Sequence, residues 1–280
     1  CRQYFYLTES EKVNPFDKKI FLQLVDVVDG KTTDTMLKTS LSLIMQMLHD
    51  YYEKPVILLL DEYDTPMQEA YVGGFWPELT NFIRNLLNAT FKTNPWLERA
   101  LLTGITRVSK ESIFSDLNHL KVVTTTSEEY ADSFGFSEAE VFAAMDEYGY
   151  TQKEEIKRWY DGFSFGSQKD IYNPWSILNY LDTGKVAPYW ANTSSNHLVG
   201  KLIQEGSREI KISFERLLKG KSIRTTVEEQ IAYEQLDLSE RAVWSLLLAS
   251  GYMKVLSYEE YDPMGENLPE YELTLTNLEV

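Results

Sequence analysis

Five apolar residues, Val56-Ile-Leu-Leu-Leu60, run directly into Asp61-Glu62-Tyr63-Asp64. Carboxylates held at the end of a rigid apolar strand suit a particular chemistry. Asp61 can hold Mg2+, usually through water. Glu62, on the other side of the chain, can orient or deprotonate an attacking water. This is what a Walker B motif requires, with Asp61 as the metal residue, Asp61 and Asp64 as the cofactor-side carboxylates and Glu62 as the catalytic one. The alternative is a strand ending in a solvated acidic turn, with Asp64 capping the next helix.

A second apolar run, Ala100-Leu-Leu102, ends in Thr103-Gly104. A hydroxyl at that strand end is placed to contact the attacking water or a γ-phosphate; its other use is to satisfy a nearby backbone group. Arg107 and Lys110 follow, and either can meet phosphate charge or pair with Glu111 or Asp116. Gly30-Lys31-Thr32-Thr33 imitates the tail of a phosphate-binding loop. Val25, however, stands where the first glycine of that loop belongs, and Asp26 and Asp29 would aim carboxylates at phosphate. It reads as a polar turn. His49, His119 and His197 are isolated and lack metal-ligand spacing.

The elements that must position these groups can be read from periodicity. Lys19 to Val28 is β-branched and apolar, and predicts a strand. Asp34 caps a helix with Leu37, Leu41, Ile44, Leu48 and Tyr51 on one stripe, stopping before Pro55. Val56–Leu60 and Ala100–Leu102 predict strands buried on both faces. Between them lies a helix bearing Leu79, Phe82, Ile83, Leu86 and Leu87. A helix over Lys110–Leu117 and a third strand over Lys121–Thr126 complete an alternation typical of a doubly wound α/β sheet, whose ligands sit at the carboxyl ends of the strands. Asp61, Glu62 and Thr103 all lie at such ends.

After Thr126 the pattern turns helical. Ser137-x-x-Glu140 and Thr151-x-x-Glu154 read as capping boxes, and Asn173-Pro174 as an N-cap with proline at the first helical position. The aromatic clusters Trp159–Phe163 and Tyr172–Trp175 read as the core of a helical domain rather than a ligand pocket. A further helical segment runs to about Leu236. Then a helix over Ser239–Ser250 precedes strands at Tyr252–Leu256 and Tyr271–Thr276, joined through Asp262–Gly265, which suggests the end of a winged-helix unit. The expected division is 1–126, 127–192 and 193–280.

The chain of 280 residues carries a net charge of −16, so its field opposes phosphate backbones and disfavours direct nucleic-acid binding by this segment. Its single cysteine, Cys1, excludes an internal disulfide. No apolar run is long enough to span a bilayer and no signal-peptide pattern opens the chain, so a cytoplasmic protein is the expectation. The start without methionine and the strand-like end lead us to expect a piece of something longer.

The segments Val56–Pro66, Leu101-Leu-Thr-Gly-Ile-Thr-Arg107, Ser109–Phe114, Trp159-Tyr-Asp-Gly162 and Ile171-Tyr-Asn-Pro-Trp175 together resemble the bacterial AAA-ATPase-like proteins that usually carry a C-terminal nuclease-like domain of the PD-(D/E)XK type. The resemblance implies a P-loop NTPase core of the ASCE, AAA-like kind, then an all-helical lid and a winged-helix-like region. It implies Mg2+ and ATP as cofactors of the intact protein, with Asp61 on the magnesium side, Glu62 catalytic, Thr103 at the sensor position and Arg107 nearby. By this resemblance the phosphate-binding loop would precede Cys1, the nuclease-like domain would begin after about Leu278, and the piece in hand would be inactive. Two other readings stand beside it: a non-enzymatic module binding a protein partner through the helical domain, and a metal-dependent hydrolase using Asp61, Glu62 and Asp64 directly.

Overall fold

The computed structural model describes residues 2–25, 33–105, 117, 120–191, 197–227, 239–259 and 270–280. The chain is mixed α/β and divides into two compact units, Cys1–Leu120 and Lys121–Val280.

The first unit runs through a 3-10 helix (Arg2–Glu9), α1 (Pro15–Val25), α2 (Asp34–Lys38), α3 (Ser40–Tyr52), β1 (Val56–Leu60), α4 (Thr65–Gly73), α5 (Trp76–Phe91) and β2 (Leu97–Leu102). Leu7, Val13, Phe21, Leu24, Leu43 and Met47 form its buried cluster. Of the strand expected over Lys19–Val28, the described part, Lys19–Val25, is instead the body of α1, and residues 26–28 lie outside the described residues. Asn14 starts the helix: its Oδ1 accepts from the Phe16 amide at 2.8 Å and its carbonyl from the Lys18 amide at 3.1 Å. Asp17, Phe21 and Leu24 then fall inward at helical spacing, which outweighs β-propensity.

The single helix expected from Asp34 is two, broken at Thr39. Its N-cap is Thr33, whose hydroxyl accepts from the Met36 amide at 3.3 Å, while Asp34 is the first helical residue. Leu43, Met45 and Met47 are the buried residues of α3; Leu37, Ile44, Leu48 and Tyr51 pack half-buried around that core. Glu53, in the left-handed region at φ 54°, ends α3 before Pro55.

β1 and β2 pair in parallel, with Leu58 opposite Ala100 and Leu60 opposite Leu102. Burial on both faces was expected and is not found. Along β1 exposure alternates, with Ile57 and Leu59 outward, and Leu101 on β2 is exposed as well. Leu59 is 71% exposed. The third strand expected at Lys121–Thr126 is not formed either. The Ser127 amide bonds the Thr124 carbonyl, and the Ser127 hydroxyl accepts from the Thr124 amide, both at 3.0 Å. Local hydroxyl bonding thus turns a β-branched run into a turn. The helix expected over Lys110–Leu117 lies outside the described residues, apart from the buried Leu117.

The second unit contains β3 (Phe136–Ser137), α6 (Glu138–Tyr148), α7 (Lys153–Tyr160), β4 (Phe163–Phe165), β5 (Gln168–Tyr172), α8 (Pro174–Thr183), α9 (His197–Glu205), α10 (Arg208–Leu218), β6 (Ile223–Thr226), α11 (Glu240–Ala249), β7 (Met253–Glu259) and β8 (Glu270–Leu275). The stretch 127–192 is therefore not all-helical: β3, β5 and β4 make a small antiparallel sheet in that order. Short strands tied by the Gly166 turn escaped the helical reading. Ser137 and Glu140 do form a capping box, and Asn173 caps α8 through the Trp175 amide at 2.9 Å. Thr151 makes no such box; the N-cap of α7 is Gln152, without a side-chain bond. Tyr160, Tyr172 and Tyr180 are buried with Val141, Met145, Ile156, Ile177 and Leu181, so the aromatic clusters do build a core.

In the segment expected to be helical to Leu236, α10 ends at Leu218 and β6 follows, while residues 228–236 lie outside the described residues. β7 and β8 form the expected antiparallel pair, and β6 joins the far side of β8, giving the order β6-β8-β7. Asp262–Gly265 lie outside the described residues. Among those described, no helix is long and apolar enough to cross a membrane.

Candidate functional site

The hydrogen-bond ladder between β1 and β2 continues one residue past both strands. The Thr103 amide donates to the Leu60 carbonyl at 2.9 Å, and the Tyr63 amide to the Thr103 carbonyl at 3.0 Å. Asp61 and Thr103 are therefore fixed side by side at the carboxyl edge of a parallel pair. The Thr103 hydroxyl donates to Asp61 Oδ1 and accepts from the Glu62 amide at 3.3 Å. One hydroxyl thereby sets both the Asp61 carboxylate and the start of the turn that carries Glu62.

Glu62 has a left-handed backbone, φ 51°. A side chain at that conformation costs about 1–2 kcal/mol, which the ladder on either side holds in place. Its Oε2 accepts from the Thr65 hydroxyl at 3.3 Å. Asp61 and Glu62 are both exposed, whereas Asp64 is 1% exposed. The solvated acidic turn thus describes the first two carboxylates and not the third. Asp64 stands at the N-cap of α4, and its carbonyl accepts from the Met67 and Gln68 amides at 3.0 Å each. Its carboxylate makes no capping bond and lies instead against Gly104. A Cβ at position 104 would fall 2.7 Å from Asp64 Oδ1 and 2.7 Å from Tyr63 Cε1, so glycine there is a packing requirement. The sequence marks Gly104 by its place directly after the strand-end Thr103, but not its packing against Asp64.

Asp61 fits a Mg2+ ion: it is an exposed carboxylate with one oxygen steadied by Thr103, and this metal takes one or two carboxylates and keeps its waters. Arg107, Lys110 and Gly30–Thr32 lie outside the described residues, and Thr33 is the cap of α2. His49 lies on α3, part-buried, 3.6 Å from Asp50.

Residues 5–114, which contain this whole arrangement, match the family described as predicted AAA-ATPase. This part of the chain is similar to that family. The resemblance drawn from Val56–Pro66 and Leu101–Arg107 thus points to the matched family. An uncharacterized protein in the vnfD 5' region of Azotobacter chroococcum mcd 1 is 26% identical over 239 residues, 85% of this chain and 43% of that protein. The chain therefore spans less than half the length of that relative. No solved structure matches the chain. The AAA-ATPase-like match ends at residue 114, so the second unit takes no description from it.

Proposed function

We propose that this chain carries the hydrolytic half of an ATP-hydrolysing site, completed in a longer protein. The observation that carries the reading is the Thr103 hydroxyl, which joins the Asp61 carboxylate and the Glu62 amide at the carboxyl edge of a parallel strand pair. Asp61 would face Mg2+ through water, and Glu62 would orient and deprotonate the attacking water. Thr103 would hold the two in register and sense the γ-phosphate, with Arg107 contributing positive charge. Bound Mg-ATP supplies the electrophilic phosphorus and the cation that spreads its developing charge. The fold expected around this site is a P-loop core. In the second unit, the order helix, strand, helix, strand, strand with the last strand central supports a winged-helix-like region.

The enclosed Asp64 argues against a hydrolase in which three carboxylates bind metal directly. The test is Glu62→Gln in the full-length protein, which should abolish turnover and spare ATP binding. Residues 1–280 alone should give little heat with Mg-ATP in calorimetry, because most affinity in such sites comes from backbone amides and a lysine around the phosphates. Turnover surviving Glu62→Gln in the full-length protein would sink the assignment.

A further inference from the structure

The segment Trp159-Tyr-Asp-Gly162 lies beyond the matched residues 5–114, and it ends in a cluster with its own chemistry. Glu138 opens α6, Asp161 caps the C-terminus of α7, and Asp170 lies in β5. One carboxylate oxygen from each falls within 4.8 Å of the others. Gly162 follows Asp161 directly: at φ 127°, a Cβ there would meet the Thr276 carbonyl at 2.2 Å. Asp170 is left-handed at φ 57°, at the irregularity where β4 pairs with β5, and such a bulge re-aims a side chain.

Among the described residues, Lys157 is the cation within ion-pair distance of all three. Lys157 Nζ bonds Glu138 Oε2 and lies 3.3 Å from Asp170 Oδ1 and 3.6 Å from Asp161 Oδ2. The Tyr172 hydroxyl donates to Glu138 Oε2 at 3.2 Å. Three negative charges against one positive leave the cluster under-neutralised. Asp161 shows the deficit directly. It is 8% exposed, and its Oδ1 is buried without a hydrogen-bond partner among the described residues. A buried, unpaired carboxylate oxygen is costly, and proteins answer it with a proton, a donor or a metal.

We propose that Glu138, Asp161 and Asp170 form a binding site for a hard divalent cation of the calcium class, which displaces the Lys157 ammonium. Calcium takes 6–8 oxygens at about 2.3–2.6 Å in irregular geometry, so ligands on opposite sides stand roughly 5 Å apart. That matches the spread of these oxygens. Three carboxylates offer up to six oxygens, and water completes the shell. All-oxygen ligation disfavours zinc and copper, and a cage of protein carboxylates suits calcium better than magnesium. The displaced lysine has an exit, since its side chain is 34% exposed and reaches solvent on a flexible stem.

The pKa directions agree with the geometry. Burial pushes the Asp161 carboxyl up, the Lys157 charge pulls it back, and Asp170 adds to the rise. Burial also raises the Tyr172 hydroxyl, helped by the charges of Asp161 and Glu138.

Terbium binds calcium sites and luminesces when excited through a nearby tyrosine or tryptophan, so Tyr172 is a built-in antenna. Titrating residues 1–280 with Tb3+ should give saturable, tyrosine-sensitised luminescence that Ca2+ displaces. Asp161→Asn should weaken binding about tenfold or more by removing a charged ligand. Asp170→Asn, at an exposed residue, should do likewise with little risk to the fold. Lys157→Met should tighten binding by removing the competing ammonium. No saturable signal from the folded wild-type chain would overturn the site and leave an ionic lock only. So would a signal indifferent to both Asp161→Asn and Asp170→Asn.

Discussion

Glu279 gives a sharp test of how the second unit holds its last strand. Its carboxylate is 5% exposed and accepts from the Trp190 amide at 2.7 Å and from the Ser176 hydroxyl at 3.0 and 2.8 Å on its two oxygens. Replacing it with alanine removes hydrogen bonds to a charged group, worth about 1.5–3 kcal/mol, and strands the Trp190 N–H, at about 1–3 kcal/mol. These contributions overlap, so the expected loss for Glu279→Ala is about 2–4 kcal/mol. For a unit of this size that is roughly 4–15 °C in Tm. Glu279→Gln keeps an acceptor for the amide and should lose less than about 1 kcal/mol at neutral pH.

The pH dependence separates the two variants further. Burial pushes the Glu279 carboxyl above its ordinary value, and the bonds from Trp190, Ser176 and Tyr189 only partly pull it back. A carboxyl raised in the folded state favours the protonated form there. Its stabilising contribution is complete below the ordinary glutamate pKa and is lost as pH rises through the raised value. The wild type should therefore lose stability relative to Glu279→Gln as pH rises from the ordinary glutamate range through the raised value. Urea denaturation followed by tryptophan fluorescence, with Trp190 beside the carboxylate, measures both differences. Parallel pH curves for wild type and Glu279→Gln, or a Glu279→Ala loss under about 1 kcal/mol, would refute the reasoning.

Two further expectations concern local packing. Gly104→Ala drives a methyl group to 2.7 Å from Asp64 Oδ1 and should lower stability by about 1–3 kcal/mol, read as a drop in the denaturant midpoint; an unchanged midpoint would mean that Asp64 moves freely. Asn173→Ala removes the acceptor of the Trp175 amide and should cost about 1 kcal/mol in a thermal melt, with Asn173→Asp restoring most of it; equal melts for all three chains would discount the cap.

The strand ends of the candidate site were legible because they are local. An apolar run stopping at Asp61, and another stopping at Thr103, place their residues whatever the rest of the sheet does. The caps at Ser137 and Asn173 were legible for the same reason, since side chain and amide lie within one turn. Lys19–Val28 misled because its apolar residues satisfy a strand and a helix alike, and only the Asn14 start decides. Lys121–Thr126 misled because threonine serves turns as readily as strands. The carboxylates of Glu138, Asp161 and Asp170 come from three elements, and no spacing in the sequence announces that β5 returns beside the ends of α6 and α7.

The outward face of β1 and β2 sets the handling properties of the chain. Ile57, Leu59 and Leu101 form an apolar carpet on a pair of strands with no further strand on either side among the described residues. Such edges are templates for strand addition. Against this stands the net charge of −16, which keeps copies apart in dilute buffer. At about 0.15 M salt the repulsion fades within roughly 8 Å, while apolar attraction does not. The colloidal life of the chain is thus a contest between one greasy face and a long-range field, and salt decides it.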